Sequence, residues 1–241
     1  MAEDTGWQRQ QIPAGRFTLT GYAKGLDSAG RDLVVYIESD GYAWRSRWAL
    51  SPDPTPRDPQ GLRLALRDSG PRVLYLARPC QFARDAWQGC EPIYWSSHRY
   101  GEAVVAALDQ AIDEVKTRVG ASAVSLLGIS GGGVVAALLA ARRDDVAQLT
   151  TIAANLDHAA WTEHHEVSPL TGSLNPADFA ERLEQIPQRH FVGAADDVVP
   201  PIIVESYLAR MTDRSKTEII VIPGFDHDCC WIDAWPGLLG R

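Results

Sequence analysis

No apolar run in the 241-residue sequence is long enough to span a bilayer, which excludes a transmembrane helix. A surplus of positive charge is also missing: 23 Lys and Arg stand against 31 Asp and Glu, for a net charge of −8 at pH 7. That balance argues against nucleic acid or an anionic membrane surface as a main partner. There is no Gly-x-x-x-x-Gly-Lys, so nothing supports a nucleotide-phosphate cradle. Internal repeats, low-complexity tracts and a domain linker are absent. Met1-Ala2-Glu3-Asp4-Thr5 is acidic and polar, unlike a signal peptide. Cysteine is scarce, and neither Cys80/Cys90 nor Cys229/Cys230 has the two-residue gap typical of zinc ligands. His158, His164 and His165, set among Asp157, Glu163 and Glu166, match no common zinc spacing and read as a solvated or cleft-lining loop. No metal is expected.

The four cysteines allow three pairings, and sequence does not choose among them. Cys80 and Cys90 bracket a short polar loop that suits a bridge. Cys229 and Cys230 are adjacent, just past a histidine. This usage points to disulfides and a periplasmic or secreted location, with free buried thiols in the cytoplasm as the alternative.

With 45% hydrophobic residues the chain can bury one sizeable core. Residues 1–16 read as an N-terminal extension and 17–241 as a single domain. Phe17–Tyr22 alternates like an edge strand, whereas 33–38 and 72–77 are dense enough for buried strands. Residues 51–61 form a proline-rich surface loop. Val104, Val105, Leu108, Ile112 and Val115 recur at helical spacing within 98–118. A strand over 123–128 leads to a helix over 131–142, and 149–154 is a further strand. Residues 156–186 are irregular, with a helix starting near Pro176. Strands 189–193 and 217–222 flank a helix over 201–210. This alternation implies an α/β fold, a mostly parallel doubly wound sheet with helices on both faces. In such sheets chemistry gathers at the carboxyl ends of the strands.

One of those ends carries Gly128-Ile129-Ser130-Gly131-Gly132, a Gly-x-Ser-x-Gly between a strand and a small-residue helix. That context suits a serine held on a tight strand-to-helix turn, its hydroxyl lifted out of the sheet beside free helix N–H groups. A bare helix cap at Ser130 is the bland alternative. Asp196 and Asp197 sit one loop past a later strand, and His227 one loop past the last. A serine hydroxyl needs a histidine to take its proton, and the histidine needs a carboxylate to fix its tautomer. Either aspartate can instead cap the helix after it, and His227 can be a hydrogen-bonded surface residue. Gly131-x-Gly133-x-x-Ala136 is a degenerate dinucleotide fingerprint, but the next strand does not end in an acid.

From about residue 17 to 235 the chain resembles an α/β-hydrolase. The resemblance implies Ser130 as nucleophile, His227 as base and Asp196 as acid, separated from Val198-Val199-Pro200 by one intervening residue, Asp197, which is the rival acid. It implies an oxyanion hole built by the Gly131 N–H and a second donor after an early strand. There Asp40-Gly41 replaces the family's His-Gly, which points to Tyr42; the loop from Arg78 to Phe82 is the rival. Residues 156–186 fall where the family carries a lid, here a short one. Asp40, Gly41, Asn155, Trp161 and His164 are the expected substrate contacts. Trp44, Trp48, Trp87 and Trp95 serve either as further contacts or as packing.

The implied reaction is hydrolysis of a small-molecule carboxylic ester through an acyl-serine, with no cofactor. A peptidase or amidase, acyl transfer to an alcohol, and a non-catalytic binding protein on the same fold are the alternatives.

Overall fold

The computed structural model describes residues 6–27, 30–46, 48–83 and 87–240; the acidic residues 1–5 lie outside that set. Eight strands form one sheet: β1 (Gln8–Ala14), β2 (Phe17–Lys24), β3 (Asp32–Ile37), β6 (Val73–Leu76), β7 (Ala123–Ile129), β8 (Val146–Ile152), β9 (Gln188–Gly193) and β10 (Thr217–Ile222). Their spatial order is β1-β2-β6-β3-β7-β8-β9-β10. β1 and β6 each run antiparallel to β2, and every other pairing is parallel. Two short strands, β4 (Trp44–Ser46) and β5 (Ala49–Leu50), make a separate hairpin.

Alternation along the central strands divides the apolar residues between two faces. Leu33, Val35 and Ile37 of β3 point to one side, together with Leu74, Leu76, Val124 and Leu126. There they meet helices α2 (Glu102–Val119) and α3 (Gly131–Arg142). Val34, Tyr36, Val73, Tyr75, Leu127 and Ile129 point to the other side. They meet α1 (Gln60–Leu66) and α7 (Trp231–Leu238), whose Trp231 and Trp235 are fully buried. Both faces are covered, as the dense central strands require. α2 buries the expected helical stripe and stops at Gly120, which takes the left-handed conformation that ends a helix without a Cβ penalty.

Several boundaries differ from the sequence expectation. Residues 8–14, inside the expected extension, are a strand of the sheet, paired residue for residue with β2. β2 is therefore not the edge. Gly15 supplies the positive φ of the connecting turn, and Ile12 and Ala14 are buried. α2 begins at Glu102 rather than 98, and β8 ends at Ile152 because Ala153 turns to a positive φ of 47°. The irregular span 156–186 contains α4 (His158–His164), a 3-10 turn at Pro176–Phe179 and α5 (Ala180–Leu183). α6 (Pro201–Ala209) lies between β9 and β10, as its proline start suggests. No helix among the described residues is long and apolar enough to cross a membrane.

Candidate active site

β7 delivers Ser130 and α3 leaves it. The Ser130 N–H donates to the Ile152 carbonyl at the end of β8 (2.8 Å), and its own carbonyl accepts the first helical bond from Gly133 (2.9 Å). Between these anchors Ser130 is held at φ 51°, ψ −125°, a conformation costly for a non-glycine residue. Such a sharp turn brings Gly128 against the Gly132 backbone, where no Cβ fits. The hydroxyl makes no capping bond to its own helix, so the bland cap is not what the serine forms.

Instead Ser130 Oγ lies 3.0 Å from His227 Nε2. His227 Nδ1 lies 2.9 Å from Asp196 Oδ2. The carboxylate only accepts, so Nδ1 carries the hydrogen and Nε2 is free to receive one. The other Asp196 oxygen, Oδ1, accepts the N–H groups of Val198 (2.9 Å) and Val199 (2.7 Å). Asp196 is buried, while Asp197 is exposed and makes no such bond to His227. Loops after β7, β9 and β10 thus converge, as the parallel sheet requires. Ser130 and His227 open on a cleft of about 440 Å³ that is also lined by Asp40, Gly41, Arg57 and Asp228.

The loop after β3 overturns one expectation. The Tyr42 N–H is already bonded to the Pro54 carbonyl at 2.9 Å and is not available to an oxyanion. Gly41, at φ 67°, turns the chain so that Tyr42 runs back against the proline-rich loop. Glu38 donates its N–H to Leu76, Ser39 to the Glu38 carboxylate and Gly41 to Ser39 Oγ. The Asp40 N–H, by contrast, has no partner among the described residues. Asp40 also borders the start of α3: its Oδ2 lies 2.8 Å from where a Cβ on Gly131 would sit. The rival loop stands behind this one. Its Arg78, Gln81 and Phe82 N–H groups are all engaged, and the Gln81 amide holds the Ser39 carbonyl.

Two buried polar clusters brace this loop, and neither was visible as a motif. Glu38, fully buried, accepts the N–H groups of Ser39, Gly61 and Leu62 and the Tyr75 hydroxyl. Burial raises its pKa, and these bonds only partly offset that. The Asp40 carboxylate accepts Arg78 Nη1 (2.9 Å), Arg99 Nη1 (3.0 Å) and the Tyr100 hydroxyl (2.8 Å). Burial alone would raise its pKa, but the two guanidiniums and the hydroxyl outweigh it and hold the pKa down. The available signal was a charged residue just past each of two buried apolar runs, Glu38 after residues 33–37 of β3 and Arg78 after β6.

The remaining expected contacts scatter. Asp40 and Gly41 line the cleft. Asn155 is buried, with its Oδ1 unpartnered among the described residues, and it does not line the cleft. His164 is exposed and packs edge-on against His165, also away from the cleft. Trp161 lines a neighbouring groove with Trp44 and Trp48. Trp95 is buried and donates to the Ser51 carbonyl, with Trp87 packed against it. Cys80 pairs with Cys90, and Cys229 with Cys230, directly past His227. Among the described residues no group of three or more His, Cys, Asp or Glu is placed to hold a metal ion.

No protein-family model matches the chain, and no curated protein matches its sequence. Solved structures do match its shape. An α/β serine hydrolase homologue from Coxiella burnetii aligns with a TM-score of 0.66 at 15% identity, over 96% of this chain and 93% of its own. An esterase from Pyrococcus furiosus aligns with a TM-score of 0.66 at 13% identity, over 100% and 91%. A puromycin-hydrolyzing peptidase from Mycobacterium tuberculosis aligns with a TM-score of 0.70 at 14% identity, over 97% of this chain but 37% of its own. At these identities the likeness establishes the α/β-hydrolase fold.

Proposed function

We propose that this α/β-hydrolase-fold chain is a serine hydrolase that cleaves carboxylic esters through an acyl-serine intermediate. The observation that carries the proposal is the continuous hydrogen-bonded chain from Ser130 through His227 to buried Asp196, open to a cleft. Ser130 Oγ attacks the ester carbonyl carbon while His227 Nε2 takes its proton. Asp196 keeps Nδ1 protonated and steadies the imidazolium. The carbonyl oxygen gains the negative charge and is held by the N–H groups of Gly131 and Asp40, with Asp40 replacing Tyr42 as the second donor. His227 returns the proton to the departing alkoxide. Water, activated by the same histidine, then releases the acid and restores the serine. No step draws on a cofactor.

Esters are favoured over amides because an alkoxide leaves with less help than an amine. Residues 156–186 serve as a short lid on the single domain, and two disulfides support a location in an oxidising compartment. The test is a panel of short-acyl p-nitrophenyl esters run beside aminoacyl anilides, on wild type and Ser130→Ala. Ester turnover that falls by ~10³-fold or more in the variant is expected. Faster anilide turnover would favour a peptidase, product partitioning to an added alcohol would favour transfer, and no Ser130-dependent turnover would leave a binding protein.

A further inference from the structure

Beside the Ser130 cleft lies a second concavity of about 520 Å³, lined by Trp44, Trp48, Trp161, Leu50, Val167 and Arg99 among others. Three indoles reach it from three segments: β4, the β4–β5 turn and α4. Trp44 is 41% exposed and Trp48 85%, so both indoles present ring surface along this groove. Both walls connect to the reacting groups. On one side Arg99 Nη1 bonds Asp40, which borders Gly131. On the other, Trp161 Nε1 donates to the Val198 carbonyl at 2.6 Å, and the Val198 N–H donates to Asp196. The groove is thus one hydrogen bond away from the Asp40 loop on one side and from the Asp196 loop on the other, within reach of a group attached to an ester at Ser130.

We infer that this groove is a substrate subsite for an aromatic ring, so that the preferred substrates are esters carrying an aryl group near the scissile bond. The inference rests on the hydrolase reading. An alkyl chain in such a groove gains only from burial. A flat ring gains in addition from stacked or edge-on contact with the indoles and from the Arg99 guanidinium, which already lies over the Tyr100 ring at 5.8 Å. Arg99 and Glu166 are the charged residues of the lining and have opposite sign, so the ring need carry no charge.

The experiment compares methyl 3-phenylpropanoate with methyl 3-cyclohexylpropanoate, which share carbon skeleton and leaving group and differ in aromaticity. A matched pair of 3-phenylpropyl and 3-cyclohexylpropyl acetates probes the leaving side. Wild type is expected to favour the phenyl member of at least one pair by ~10-fold in kcat/KM, mostly through KM. Trp44→Ala and Trp48→Ala should each bring the ratio towards one. Trp87→Ala, which removes an exposed tryptophan outside the groove, should leave the ratio intact. Turnover with no ring preference in either pair, or a preference that survives both groove substitutions, overturns the subsite and spares the hydrolase reading. If no ester turns over and a fluorophosphonate does not label Ser130, the hydrolase reading fails and takes the subsite with it.

Discussion

Replacing Asp196 by asparagine should abolish most activity while leaving the fold in place. The reason lies in the two halves of the carboxylate. Oδ1 is committed to the N–H groups of Val198 and Val199, which need an acceptor. In the variant the amide oxygen must occupy that place, so the amide nitrogen faces His227 Nδ1. The nitrogen donates and forces Nδ1 to accept, which moves the ring hydrogen to Nε2. Nε2 then faces Ser130 Oγ, 3.0 Å away, as a donor and no longer takes the proton. Loss of the correct tautomer costs ~10⁴-fold in kcat, or about 5.5 kcal/mol of barrier. Because both backbone bonds survive, the melting temperature should hardly move. Asp196→Ala differs: it strands the buried Val199 N–H, at about 1–3 kcal/mol, and frees the half-buried Val198 N–H, and should also destabilise the fold. Asp197→Asn is the control, since that side chain is exposed. Steady-state ester hydrolysis with a thermal melt measures all three. An Asp196→Asn enzyme within tenfold of wild type would refute the tautomer argument.

Other perturbations test the surroundings. Asp40→Asn removes the one carboxylate between Arg78 and Arg99, whose side chains are 4% and 13% exposed, and should cost about 3 kcal/mol in urea unfolding; an unchanged midpoint would contradict the pairing. His190 is buried against Thr151 and Tyr207, and burial lowers its pKa to about 3. The unfolded chain takes up a proton below about pH 6.5 and the folded chain does not. Stability should therefore fall as pH drops from 6.5 towards 3, by about 2.7 kcal/mol at pH 4.5, and His190→Phe should flatten that slope in acid unfolding curves. The Cys80–Cys90 bridge closes a short loop, so Cys80→Ser with Cys90→Ser should lower stability by about 3 kcal/mol. Intact mass before reduction should show no free thiol.

What could be read beforehand followed local pattern. The apolar run into Gly128-Ile129-Ser130 and the small residues after it set β7 and α3, whose bounds of 131–142 match the expectation. β1 carries little local signal because its outer residues, Gln8 to Gln11, are mostly exposed at the sheet edge and only the last three alternate. α1 and α7 are short, and their apolar faces have meaning only against Tyr36 and Tyr75 across the sheet. The Asp40–Arg78–Arg99–Tyr100 cluster joins residues up to 60 positions apart, and nothing local announces such pairing. The Tyr42 assignment failed because loop register depends on the Gly41 turn and on the Pro54 carbonyl that captures the N–H. Choosing Asp196 over Asp197 likewise needed the loop, in which Val198 and Val199 fasten one aspartate inward.

The decisive measurement is the mass and location of the adduct formed with a fluorophosphonate, mapped by peptide mass spectrometry. A single phosphonyl group on Ser130 is expected, absent in Ser130→Ala and slowed by orders of magnitude in His227→Ala, because the imidazole 3.0 Å away makes that hydroxyl reactive. A wild-type protein that stays unlabelled, or one modified at another residue while Ser130 remains intact, would contradict the claim that this serine is an activated nucleophile.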